Sequence, residues 1–417
     1  MTVATFARLG SSNSYDNAIR NLMSRQSTLS DQQEKLTSGK RVVRPSDDPT
    51  AAAQAERAMT RINRIAADQR ALDAQKNTIS QAESTLGDVS NALQAFRELV
   101  VSAGNGSYTT PERRSVAIQL SGLRDQIFSL ANRKDTNGLP LFSALGSALT
   151  PFSGPNATAP DYLFNGLPGQ ISSSDTAIPY ALDGDSAFMH LPARDGVYNV
   201  KVTSGGGGPP TILTSGVTIS NAALVTGSSY TIAITAMDTT TVPGTTTATY
   251  TVTDNTTAAV TTVNASYPTG SSASITVTAM PGLQLDITGA PAVGDTATIT
   301  PAVSLFSVLD NAIRDIGGAG SGSAAAQAVG QALHNLDIGM GRVSAVRGQA
   351  GDLLNRADRI DANQGKRSDQ LEADRSRAED LEMIKGISDF QTQQTAYQAA
   401  LQSYAQVQKL SLFNYIG

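Results

Sequence analysis

The sequence predicts a multidomain α plus β protein: a long, coiled-coil-like helical bundle built from both termini, with an inserted Thr/Gly-rich all-β domain. Three observations carry this. Heptad ladders occupy both ends of the chain, a stretch in the middle loses both its charge and its helical period, and the helical period then returns.

The first ladder is Tyr15, Ile19, Leu22, Gln26, Leu29, Gln33 and Leu36. The last is Met383, Ile387, Phe390, Gln394, Tyr397, Leu401 and Tyr404. Alternating steps of four and three keep one seam in line along a helix, which is the spacing needed when that seam must face other helices. The termini therefore read as assembly surfaces. Residues 1–44 form an N-terminal assembly helix that pairs with a C-terminal one over 383–417. The glutamines at 26, 33 and 394 fit either the solvated edge of a helix pair or polar contacts that set register between subunits.

The string from Ser38 to Pro49 follows the first ladder. Gly39 ends the helix, and Pro45, Asp47, Asp48 and Pro49 prepare the next one. A metal or acid/base role for the adjacent carboxylates is the weaker reading, because Asp48 as N-cap and Pro49 at the first helical position explain them. The string is a hinge. From Pro49 to about Ser102 the pattern is one helix, roughly 75 Å long at the usual rise per residue. Gly104, Asn105 and Gly106 break it. Thr110, Pro111 and Glu112 then open a second helix, with Thr110 as its cap. Residues 45–140 are thus the N-terminal half of a helical rod.

Between Leu141 and Val303 only eleven side chains are Asp, Glu, Lys or Arg, and nine of those are Asp. Short alternating runs such as Tyr230–Thr235, Thr249–Thr253, Ser274–Thr278 and Leu283–Ile287 are separated by Gly, Pro and Asn, which is strand chemistry. Residues 141–303 are read as the inserted β domain. Gly205 to Pro210 is a loose connection that leaves open whether the insert has one lobe or two. Helical period resumes at Leu305, and residues 304–382 form the C-terminal half of the rod, with a Gly/Ser-rich turn from Gly317 to Ser323.

The 417 residues carry a formal charge of -5 and no cysteine, which removes disulfides, Cys-based zinc sites and thiol catalysis. No apolar run reaches the ~18 residues of a membrane span, and the start lacks a secretory core, so export is expected to leave the N-terminus uncleaved. Nucleic acid is a poor match for the charge. Asp183-Gly184-Asp185 lacks the later ligands of a calcium loop and reads as a turn. His190 and His334, the two histidines, lie far apart. The glycines from 317 to 322 lack the lysine of a phosphate loop. No catalytic set, metal or cofactor is expected, and the chain does not read as an enzyme.

Pro45-Ser46-Asp47-Asp48-Pro49 before an Ala-rich helix resembles the flagellin-like family, and within it the branch that joins hook to filament. The close of the chain, Gln394 to Leu401 and Ser411 to Ile416, is similar to that branch, as are Asn137 to Ser143 and Gly294-Asp295-Thr296. The resemblance implies a non-enzymatic structural adaptor at the hook–filament junction of the bacterial flagellum, exported unfolded through the flagellar type III apparatus. It further implies a ring of about eleven subunits between hook-associated protein 1 and the first flagellin layer. A cytoplasmic flagellar export chaperone is a further implied partner. On that reading the ladder residues Tyr15, Ile19, Leu22, Leu29, Leu36, Met383, Ile387, Phe390, Tyr397, Leu401 and Tyr404 are assembly contacts, whose ordering is coupled to incorporation. The alternatives are a filament flagellin and a filament-borne surface-binding protein.

Overall fold

The computed structural model describes residues 11–416, with side chains described over 16–406. The chain divides into two compact units, one formed by residues up to Arg70 and from Asp361 onward, the other by Ala71–Ile360.

The first unit contains α1 (Ser11–Ser38), the start of α2 (Pro49–Ala103), the end of α7 (Gly322–Glu379) and α8 (Met383–Ile416). Small side chains let α2 and α7 approach closely here: Ala51, Ala55 and Ala378 pack with Val42. Ile65 and Leu371 are buried further along, and Gln69 Nε2 donates to Asp361 Oδ1 at 3.3 Å. Helices α1 and α8 pack against each other.

The second unit holds the rest of α2 and α7 with α3 (Thr110–Ala131) and α6 (Leu305–Gly317). Leu72, Ile79, Leu86, Val89, Leu93 and Phe96 of α2 are buried in its core, at heptad-like spacing, with Leu336, Val343 and Val346 of α7. Helix α3 is capped one residue earlier than the Thr-Pro-Glu string suggests. Thr109 is the N-cap, its backbone N–H and hydroxyl both donating to Glu112 Oε2 at 2.6 and 2.8 Å. A glutamate three residues past the cap closes a capping box, and that spacing favours Thr109 over Thr110.

Residues 141–195 correct the expected extent of the β insert. Apart from the two-residue pair β1 (Phe152–Ser153) and β2 (Leu163–Phe164) and the short helices α4 (Gly184–Phe188) and α5 (Pro192–Asp195), the segment is irregular. Its Phe142, Phe152, Tyr162 and Phe188 belong to the core of the helices. Three of them gather around Phe306 of α6, whose ring lies 5.1 Å from Phe128, 5.5 Å from Phe152, 5.2 Å from Tyr162 and 5.7 Å from Phe188, while Phe142 stands 5.5 Å from Phe188. Tyr162 OH donates to Asp310 Oδ2 at 2.6 Å, and Arg124 donates to Tyr162 OH at 2.8 Å. Aromatic burial, without a regular strand period, ties this segment to α3 and α6.

The β domain proper runs from Tyr198 to Pro301. It comprises β3 (Tyr198–Thr203), β4 (Ile212–Thr214), β5 (Thr218–Ile219), β6 (Tyr230–Asp238), β7 (Thr245–Asp254), β8 (Val260–Pro268), β9 (Ala273–Met280), β10 (Leu283–Gly289) and β11 (Thr296–Pro301). One sheet has the order β3-β11-β6-β7-β8; in the other β10 pairs with β9 on one side and with β4 and β5 on the other. All pairings are antiparallel. Strands β7 and β9 alternate buried and accessible residues, the period-two signature of sheets sharing one buried face. Gly205 to Pro210 links β3 to β4, and Val200 and Ile212 on either side of it lie in one core with Ile232, Tyr250, Ile275 and Leu285. The loose connection joins two sheets of one sandwich and does not separate two lobes. Polar residues of α7 tether the sandwich: Gln327 Oε1 accepts from Thr214 N–H at 2.7 Å, and Asn335 Nδ2 donates to Tyr198 O at 2.9 Å.

Between α5 and α7 lies a buried ionic cluster. The side chain of Asp195, 4% exposed, is 2.9 Å from Arg194, 3.6 Å from Arg342 and 3.7 Å from His190 Nδ1. Burial alone would raise its carboxyl, but His190, the Arg194 guanidinium and the Leu191 N–H outweigh burial and hold it well below the usual carboxylate range. A depressed folded-state pKa stabilises above the unfolded value, about 3.9, and that contribution is lost as pH falls toward the folded value. Asp310, raised by burial, works in the opposite direction. Asp195→Asn is therefore expected to lower the melting temperature at neutral pH and to shrink its gap from the parent as pH drops below ~4. Calorimetry from pH 7 to 3 checks this; a gap constant with pH would refute it.

Candidate assembly surface

Between α1 and α2 the chain makes a short, heavily bonded turn. Gly39 has φ +69°, the left-handed conformation that ends a helix and suits glycine. Pro45 is the second residue of a turn closed by Asp47 N–H donating to Arg44 O at 2.9 Å. Asp47 Oδ2 accepts from the Val43 and Arg44 N–H groups at 3.2 and 3.1 Å. Asp48 Oδ1 accepts from Ala51 N–H at 3.0 Å and Thr50 Oγ1 at 2.7 Å, with Pro49 opening α2. The Ala51 N–H bond first, then Thr50 and Arg41, hold the Asp48 carboxyl down to about 2. The carboxylates are occupied by backbone and by Arg41, which stands 3.1 Å from Asp48.

The same turn is clasped to the break between α7 and α8. Arg41 N–H donates to Glu379 O at 2.7 Å, Leu381 N–H donates to Gly39 O at 2.9 Å, and Lys40 pairs with Glu379. The Arg41 guanidinium also donates to Ala378 O at 2.8 Å. Bonds in both directions across the two breaks place the end of α1 beside the start of α8, so the terminal helices run back along each other.

That pairing divides the C-terminal ladder. Gly386, Phe390, Gln393, Tyr397, Ala400 and Tyr404 are covered or half-covered at steps of four and three. A side chain at Gly386 would press on Leu381 and Leu36, so glycine admits α1 closely there. Ile19, Leu22, Leu29 and Leu36 on α1 are likewise half-buried. Met383, Ile387, Gln394 and Leu401 are exposed, beside Ile384 at 85%. Thus Phe390, Tyr397 and Tyr404 lie on the half-covered stripe, while Met383, Ile387 and Leu401 form a second, open one. Gln26, Gln33 and Gln394 are exposed. The side chain of Tyr15 lies outside the described residues.

Other sequence candidates have local roles. Asp183 caps α4 by accepting from Asp185 N–H at 3.1 Å and Ser186 Oγ at 2.6 Å. His334 Nε2 is 3.1 Å from Val217 O, and the glycines from 317 form the turn between α6 and α7. Sequence reasoning missed Glu379 and Ala378 as the partners of the hinge, and Gln327 and Asn335 as tethers. A polar stripe at 327, 331 and 335 along the Ala-rich start of α7 is the signal that marks the tethers.

Residues 11–146, which span α1, the clasped turn, α2 and α3, match the bacterial flagellin N-terminal helical region. Among curated relatives, flagellar hook-associated protein 3 of Salmonella typhimurium is 40% identical over 122 residues, 28% of this chain and 38% of the relative. That of Escherichia coli is 35% identical over 147 residues, 33% and 44% of the two chains. The matched region thus spans less than half the length of these relatives. In fold it is similar to the crystal structure of flagellar hook-associated protein 3 from Legionella pneumophila, with a TM-score of 0.60 at 23% identity, covering 76% of this chain and 97% of that one.

Proposed function

We propose that this chain is a structural adaptor of the bacterial flagellum, joining the hook to the flagellin filament, and not an enzyme. The observation that carries this is the open stripe of Met383, Ile387 and Leu401 on α8, which remains uncovered after α1 has taken the other stripe. Exposed Met383, Ile387 and Leu401, in line along α8 with Gln394 between them, call for a further helix, and neighbouring subunits supply one. The hook-associated relatives, at 40% and 35% identity, support a place at the hook over one along the filament. The working assembly is a ring of about eleven subunits with head-to-tail contacts, flanked by hook-associated protein 1 and flagellin. A flagellar export chaperone would cover the stripe beforehand in a helix-in-groove complex. Localisation follows as the hook–filament junction, outside the cell, reached through the flagellar apparatus.

Immunogold labelling of intact flagella with antibody to the β domain tests the position. A single band between hook and filament is expected. Label distributed along the filament would overturn the junction reading in favour of a filament flagellin.

A further inference from the structure

The sandwich has one covered and one open edge in its five-stranded sheet. Strand β3, at one end, lies beside α7, where Asn335 Nδ2 donates to Tyr198 O. Strand β8, at the other end, pairs with β7 alone among the described residues. A nine-residue edge is long enough to template another strand through its unpaired N–H and C=O groups. Edges of this kind are ordinarily blunted by an inward or edge-facing lysine, a central proline or a bulge. The sequence of β8, VTTVNASYP, has no charge, its one proline is terminal, and its pairing with β7 runs without a bulge from Val260 to Pro268.

We propose that β8 is a docking edge for a second copy of this chain, with the two β8 strands pairing antiparallel across a two-fold axis at Asn264. The strand is self-complementary in that register. Val263 falls opposite Ala265 and Thr261 opposite Tyr267, on the face where 263, 265 and 267 are half-buried. On the exposed face Thr262 falls opposite Ser266, and Asn264 meets its own counterpart. Apolar thus pairs with apolar, β-branched with aromatic and hydroxyl with hydroxyl, which are favourable cross-strand pairs. The absence of charge excludes like-charge repulsion between copies and removes any attraction for an acidic or basic peptide. A neutral Thr/Ser-rich strand is the fitting occupant, and β8 itself is one. Such an isologous contact closes at two copies. It is separate from the terminal stripe, so it can fail while the junction assignment stands.

Sedimentation equilibrium of the full chain tests the pairing, with Asn264→Lys and Asn264→Glu as variants. Each places two like charges directly opposite one another on the symmetry axis and is expected to weaken the dimer roughly tenfold or more. An equimolar mixture of the two should recover a heterodimer, which a merely misfolded strand would not. A wild-type chain that stays monomeric at high micromolar concentration, a dimer indifferent to either variant, or a mixture that fails to recover would overturn the proposal.

Discussion

Replacing both Ile387 and Leu401 with aspartate is expected to abolish incorporation into the flagellum while leaving the subunit's thermal unfolding nearly unchanged. Both side chains are already exposed in the single chain, at 46% and 42%, so their loss removes little intrachain packing. Surface changes of that kind usually stay within about 0.5 kcal/mol. In an assembly that covers the open stripe, each side chain would contribute roughly 1.5 to 3 kcal/mol of transfer free energy. An aspartate buried in its place adds an unpaired charge, so the penalty repeats at every subunit contact. Phe390→Ala is the necessary contrast. Phe390 is half-covered on the α1-facing stripe, so its truncation should loosen the α1 and α8 pair in the monomer as well. Scanning calorimetry of purified subunits, with electron microscopy of cells expressing each variant, separates the cases. A double aspartate variant that melts much earlier yet still builds filaments would place the stripe in the subunit's own core.

This contrast depends on a distinction that the linear ladder does not contain. Met383, Ile387, Phe390, Gln394, Tyr397, Leu401 and Tyr404 form a single heptad series in sequence, because periodicity reports only that an apolar stripe exists. Which half meets α1 is decided by the clasp, where Gly39 and Leu381 bond across breaks that are more than three hundred residues apart in sequence. Local features were legible for local reasons. Asp48 and Pro49 announce the start of α2, and alternation announces β6, β7, β9 and β10, since capping and pleating act on neighbouring residues. The segment from 141 to 195 was misassigned for the converse reason. Its charges are nearly all Asp and it has few helical repeats, as in the sandwich, but its Phe142, Phe152, Tyr162 and Phe188 are committed to the helical core, and composition does not say which core receives a phenylalanine.

Phe306→Ala should produce the largest loss of subunit stability, about 3 to 5 kcal/mol. The ring is fully buried, and it is the one member of the aromatic cluster within 6 Å of four others, which come from α3, β1, α4 and the strand-flanking Tyr162. Phe128 is fixed on α3 and Tyr162 is held by the Arg124 and Asp310 bonds, so the space left behind closes only in part. The cavity term therefore adds to the lost transfer energy and to the edge-to-face and tilted ring contacts. Phe306→Leu keeps most of the volume and should recover more than half of the deficit. Chemical denaturation monitored by the helical circular-dichroism signal measures both. Because Phe306 belongs to one compact unit and the open stripe to the other, Phe306→Ala subunits kept below their lowered melting point should still assemble, the reverse of the double aspartate phenotype. A loss below about 1 kcal/mol would mean that the segment from 141 to 195 can rearrange around the gap, and that the aromatic cluster does not anchor it to the helical frame.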